Sequence, residues 1–278
     1  MPASAREGAA AAVGGAAPAA TTRSTTLSFS LATRDKRPKA ASDPVGRTAA
    51  KRDAGDQGAD AAPLDGPRYI VVEGPIGVGK TSLAKRLAKS FASELILEQA
   101  EENPFLERFY RNRRQSALPT QLFFLFQRAR QIEQIRQSDM FSPVRIADFL
   151  LQKDRLFAEL NLDPHELGLY NQVADTLELD PPTPDLVVYL QAPAQVLLKR
   201  VASRGIPYEQ LIEPDYLERL GDAYARFFYD FDAAPLLIVN AASIDPIHRE
   251  SDYQELLQTI LRVKHGRHFF NPAGAPLA

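Results

Sequence analysis

The 278-residue chain contains no cysteine and no tryptophan. Without thiols it has no disulfide framework, no thiolate zinc site and no cysteine nucleophile. Histidine is scarce: His165, His248, His265 and His268 are the full set. None stands in the H-E-x-x-H spacing with which a helix holds zinc. No apolar run approaches the roughly 18 residues that a membrane-spanning helix needs. A charge excess is also missing, since 33 Lys and Arg face 35 Asp and Glu for a net charge of −2. That balance offers no electrostatic reason for a nucleic-acid or membrane-surface partner, and neither is expected.

Large aliphatic and aromatic side chains are sparse in residues 1–66, which are rich in Ala, Gly, Ser, Thr, Pro, Arg and Asp. Such a segment buries too little apolar surface to offset its ordering entropy, and a disordered N-terminal extension is expected. Within it, Gly14-Gly15 and Pro18 interrupt the alanine-rich stretch Ala9 to Ala20, which argues against a secretory signal. The arginine- and serine-bearing start keeps an organelle transit peptide as an alternative. Asp53, Asp56, Asp60 and Asp65 run counter to it, and a cytoplasmic location is expected.

What is present begins with Gly74-Pro75-Ile76-Gly77-Val78-Gly79-Lys80-Thr81-Ser82, a match to G-x-x-x-x-G-K-[ST]. Its glycines let successive backbone N–H groups turn inward around an anion. Lys80 would reach the β- and γ-phosphates, and the Thr81 hydroxyl would join the shell of a Mg²⁺ ion. Context supports the motif. Arg68-Tyr69-Ile70-Val71-Val72-Glu73 reads as a buried parallel strand before it, and Leu83, Leu87 and Phe91 recur at helical spacing after it. A nucleoside triphosphate is the expected ligand.

Downstream, strands and helices alternate. Strands are expected at Glu94 to Leu97, Pro143 to Ala147, Asp185 to Leu190 and Leu236 to Val239. The helices expected between them include Asn103 to Asn112, with Asn103 as cap, and a long one from Pro119 to about Gln137. Others are expected over Leu151–Asn161, Pro164–Leu179, Pro193–Ser203, Pro214–Phe231 and Ser251–Lys264. The fold class is therefore α/β, a P-loop kinase with a five-stranded parallel sheet flanked by helices, plus a lid segment. Ligands of such sheets lie beyond the carboxyl ends of the strands, which directs attention to Gly74, Glu98 and Asp148. Glu98 could take the proton of an attacking hydroxyl beside a bound γ-phosphate. In Gln121-Leu122-Phe123-Phe124-Leu125-Phe126-Gln127-Arg128, the ends are seven residues apart and share one helical face. The phenylalanines between them are expected in the core.

The stretch Gly74–Ser82, with Glu98 and Glu101-Glu102-Asn103-Pro104-Phe105, resembles the deoxynucleoside kinases, especially their bacterial purine members. The resemblance runs from about Arg68 to Asn240. It implies a kinase-like domain over residues 67–270, with residues 271–278 as a tail, and a homodimer built on two long helices. It implies ATP and Mg²⁺, with Thr81 and Asp148 at the metal, and a deoxynucleoside acceptor. By the same resemblance Glu98 is the general base and Tyr110 meets the sugar 3′-hydroxyl. Gln121, Arg128 and Asp154 read the base, and Asp154 accepts from amino-bearing bases. Arg200 and Arg204 belong to the lid and grip the transferring phosphoryl group, with Glu209 at the sugar. Two departures stand out. Phe149 follows Asp148 where the family has arginine, and Ile206 stands where it often has a third lid arginine. A nucleoside monophosphate kinase would need cations around its acceptor phosphate, which Glu98 would repel. A GTP switch lacks its N-K-x-D stretch. A non-catalytic relative is the remaining alternative, opposed by Lys80, Thr81 and Glu98.

Overall fold

The computed structural model describes residues 66–137 and 144–272. The expectation of disorder falls on residues 1–65, and most of the expected tail on residues 273–278, outside the described residues. Among the described residues, six strands form one parallel sheet in the order β2-β3-β1-β4-β5-β6. They are β1 (Tyr69–Glu73), β2 (Glu94–Ile96), β3 (Arg145–Ala147), β4 (Leu186–Gln191), β5 (Leu236–Asn240) and β6 (Arg267–Phe270). The sequence pattern leads to five, and β6 corrects that count. It is a four-residue edge strand whose first three residues are exposed, so no buried apolar run marks it.

The central strands follow the rule for a sheet covered on both faces. Ile70, Val71, Val72, Leu186, Val187 and Val188 are fully buried. Helices α1 (Lys80–Ser90), α2 (Leu106–Arg111), α3 (Arg113–Gln137), α4 (Lys153–Asn161) and α5 (Pro164–Thr176) precede β4. After it come α6 (Ala194–Arg204), α7 (Pro214–Asp230) and α8 (Glu250–Arg262). Helix α7 buries Tyr216, Leu217, Leu220, Tyr224 and Phe228, one stripe at helical spacing. Helix α5 starts on a capping box, with the Asp163 side chain accepting from the His165 and Glu166 N–H groups.

Helix α3 departs from expectation at its start. Pro119 suits a first helical position, yet the helix begins at Arg113 and carries Pro119 inside it. Helix α2 is shorter than expected. The Asn103 side chain accepts from the Phe105 N–H at 3.0 Å and also donates to the Thr120 carbonyl, so it ties the α2 entry to α3.

Candidate active site

The loop after β1 curls through positive φ at Gly74, Gly77 and Gly79, and α1 starts directly at Lys80. Lys80 folds back over the loop, donating to the Gly74 carbonyl at 2.8 Å and the Pro75 carbonyl at 3.3 Å. Burial, then the nearby Lys153, lower its affinity for a proton against the pull of Glu73, Glu98 and Asp148. Thr81 donates its hydroxyl to one oxygen of Asp148. The other Asp148 oxygen accepts the Glu98 N–H at 2.7 Å. Asp148, at the end of β3, thus joins the phosphate loop to the backbone that carries Glu98.

A cleft of about 710 Å³ opens over these strand ends. Of the residues singled out in the sequence, it brings together Lys80, Thr81, Glu98, Tyr110, Gln121, Asp148, Asp154, Arg204 and Glu209. Ile76, Gly77 and Ser82 of the loop line it as well. Arg128 stands behind that wall, fully buried. Its guanidinium bonds Glu98 Oε1, the Gln131 side chain at 3.0 Å and Asp154 Oδ1 at 3.4 Å. Phe149 lies under it, 4.2 Å from ring centroid to guanidinium carbon. The aromatic residue at this departure from the family pattern therefore supports the guanidinium rather than facing the cleft.

Glu98 is gripped at both oxygens, since Lys153 Nζ stands 2.8 Å from Oε2. Burial alone would raise its pKa. Lys153, Arg128 and Lys80 outweigh that and hold the carboxyl well below the usual carboxylate range. Its side chain keeps 20% exposure, enough to meet a ligand in the cleft. Asp154 behaves in the opposite way. Burial pushes its carboxyl up to about 6 despite Arg128 and Lys153. Its Oδ2 is buried without a hydrogen-bond partner, an unsatisfied acceptor on a residue of the cleft wall.

The lid side is built by α6 and the short 3₁₀ turn Pro207–Leu211. Arg204 pairs with Glu209, and the Tyr208 ring stacks parallel on Tyr110 at 6.0 Å. Arg200 sits apart from the cleft lining. It donates to the Val78 carbonyl at 3.1 Å and the Ala241 carbonyl at 2.7 Å, fastening the phosphate loop to the end of β5. Gly74, Pro75, Val78 and Gly79 likewise shape the loop without lining the cleft. Phe124 and Phe157 wall the cleft, and Phe126 is 46% exposed. Phe124 both packs against the core and lines the cleft, and the exposure of Phe126 corrects the core expectation at that position. The inward face of α3 is spent on Thr120, Gln121, Gln127, Arg128 and Gln131, all buried, because that face walls the site.

Sequence reading missed Lys153 and Glu73. Lys153 is 4% exposed at its side chain, and Glu73 is fully buried at the end of β1. A signal for the first exists: Lys153 falls on the apolar face of α4, in step with Leu156, Phe157 and Leu160.

A glycine loop on a central strand, facing an ionised carboxylate across a cleft with room for a second small molecule, defines a P-loop phosphotransferase. The family model for deoxynucleoside kinases matches residues 70–264. Deoxyguanosine kinase of Bacillus subtilis (strain 168) is 37% identical over 196 residues, covering 68% of this chain and 93% of the relative. Deoxyguanosine kinase of Lactobacillus johnsonii is 32% identical over 206 residues, covering 69% and 90%. A solved deoxyadenosine kinase from M. mycoides superposes with a TM-score of 0.60 at 25% identity, covering 69% of this chain and 98% of its own. The chain belongs to the deoxynucleoside kinase family, enzymes that phosphorylate deoxynucleosides to monophosphates.

Proposed function

We propose that the chain transfers the γ-phosphoryl group of ATP to the 5′-hydroxyl of a purine deoxynucleoside, with Glu98 as general base. The observation that carries this reading is the Glu98 carboxylate, held charged in the same cleft as Lys80 and Thr81. The triphosphate lies in the glycine loop with Lys80 on its outer phosphates. The 5′-oxygen bonds to Pγ as the bond from Pγ to the β,γ-bridging oxygen breaks, and ADP leaves with that electron pair. The hydroxyl proton passes to Glu98. A carboxylate held this acidic is a weak base, which suits a loose transition state in which the hydroxyl gives up its proton late. Its first task is to aim the hydroxyl.

Thr81 and Asp148 are adjacent hard-oxygen donors at the loop. That donor set fits Mg²⁺, which takes one or two protein oxygens beside phosphates and water. They would hold an ion that neutralises charge on the phosphates. Arg204 reaches the transferring group once it leaves Glu209, and Glu209 and Tyr110 are then free to hold the sugar. Gln121 and the unpartnered Asp154 Oδ2 offer the base an amide and an acceptor for an exocyclic amine. The purine preference draws support from relatives named deoxyguanosine and deoxyadenosine kinases. A homodimer is supported by exposed Phe126 and Leu169 on α3 and α5.

Glu98→Gln tests the base. Turnover should fall about 10²–10⁴-fold with ATP affinity kept. Near-normal turnover in that variant would remove Glu98 from the mechanism. Ranking kcat/KM over the four deoxynucleosides tests the base preference, and a clear lead for a pyrimidine would overturn it.

A further inference from the structure

We infer that Lys153 is a positioning residue for phosphoryl transfer, holding the Glu98 carboxylate toward the acceptor from an anchor on the buried Glu73. The inference rests on the kinase reading above and adds a residue that neither the loop motif nor the family resemblance supplies.

An ammonium is costly to bury and persists only where carboxylates meet it. Lys153 has two, with its Nζ 2.8 Å from Glu98 Oε2 and 3.7 Å from Glu73 Oε2. Glu73 is immobile. Its Oε1 accepts the Gly74 N–H at 2.9 Å and the Tyr224 hydroxyl at 3.0 Å, and its Oε2 accepts the Leu150 N–H at 2.7 Å. One end of the Lys153 bridge is therefore fixed to the strand that carries the phosphate loop, and the other end faces the cleft. Arg128 holds the second Glu98 oxygen. With a cation on each oxygen, the carboxylate plane is held, and each oxygen keeps a lone pair with which to accept the hydroxyl.

The bridge also serves the moment of transfer. When Glu98 takes the proton its charge is gone, and a lysine paired to it alone would be left as a buried, unpaired ammonium. Glu73 keeps Lys153 paired in both states, so no unpaired ammonium accumulates as the reaction proceeds.

The test uses the full chain. Lys153→Ala should lower kcat about 10²-fold while the KM values for ATP and deoxynucleoside stay within about threefold. Because Lys153 lines the cleft, added methylammonium or ethylammonium should restore a large part of kcat with saturation. Tetramethylammonium and sodium chloride at the same ionic strength should not. Thermal melts establish whether the variant is folded. If it is not, Lys153→Met, which keeps the stem's volume, carries the kcat-against-KM comparison. Wild-type kcat in either folded variant, or a loss confined to KM, overturns the inference. So does a folded Lys153→Ala that no primary ammonium rescues. A wild-type chain that phosphorylates no deoxynucleoside instead overturns the kinase reading, and this inference with it.

Discussion

Asp154 and Glu98 lie in one cleft, both beside Arg128 and Lys153, yet their acidities move in opposite directions. Two cations grip Glu98 at close range, at Arg128 and at Lys153 2.8 Å away, whereas Asp154 meets Arg128 only at 3.4 Å and leaves Oδ2 unpaired. Burial therefore wins at Asp154 and loses at Glu98. The proposed base-reading role of Asp154 thus carries a pH dependence. Above about 6 the Asp154 carboxyl is ionised, and in its proposed base-reading role it would accept strongly from an exocyclic amine; below that value it is protonated and would accept weakly. The KM for deoxyadenosine should rise about tenfold between roughly pH 7 and pH 5, following the ionised fraction. Deoxyinosine, which lacks the amine, should show a flatter profile, and Asp154→Asn should remove the rise. Parallel profiles for the two nucleosides would take Asp154 out of base recognition.

At the scale of the elements, the turn from β1 into α1 tolerates little change, and its glycines differ in why. Gly74 has φ +148°, and a Cβ there would stand 2.3 Å from the Leu190 carbonyl oxygen of the neighbouring strand β4. Backbone cannot yield that far without breaking the β1–β4 pairing. Gly79 has φ +105° with nothing within 4 Å of an added Cβ. Gly79→Ala should cost about 1–3 kcal/mol of local strain, and Gly74→Ala clearly more, as measured by urea unfolding. Equal losses would mean that the close approach to β4 is unimportant. This turn was legible in the sequence because it needs particular residues at fixed spacing. The same holds for Glu98 and Asp148, which end short apolar strands. Strand β6 was hidden because an edge strand needs no continuous apolar run. Lys153 was hidden by Gln152, Asp154 and Arg155, polar neighbours that make the stretch look solvated although its own side chain faces inward. The polar inward face of α3 misled in the same way: where a helix walls a site, apolar periodicity no longer reports which side is buried.

At the scale of the whole molecule, α3 has two duties. Its inner face supplies Thr120, Gln121 and Phe124 to the cleft. Further along, Leu125 packs with Ala158 and Tyr170 in a small cluster under α4 and α5, and Leu122, Leu167 and Val173 are only partly covered there. On α3 and α5, next in sequence to Leu125 and Tyr170, Phe126 is 46% exposed and Leu169 48%. A second copy related by a two-fold axis would cover both residues with the same patch of its own, as an isologous interface does. Light scattering should then find the wild-type chain dimeric, and the double variant Phe126→Asp, Leu169→Asp monomeric at the same concentration. Neither residue lines the cleft, so the monomer should keep its nucleotide affinity. A wild-type chain that runs as a monomer, or a double variant that stays dimeric, would show that this face is not the interface.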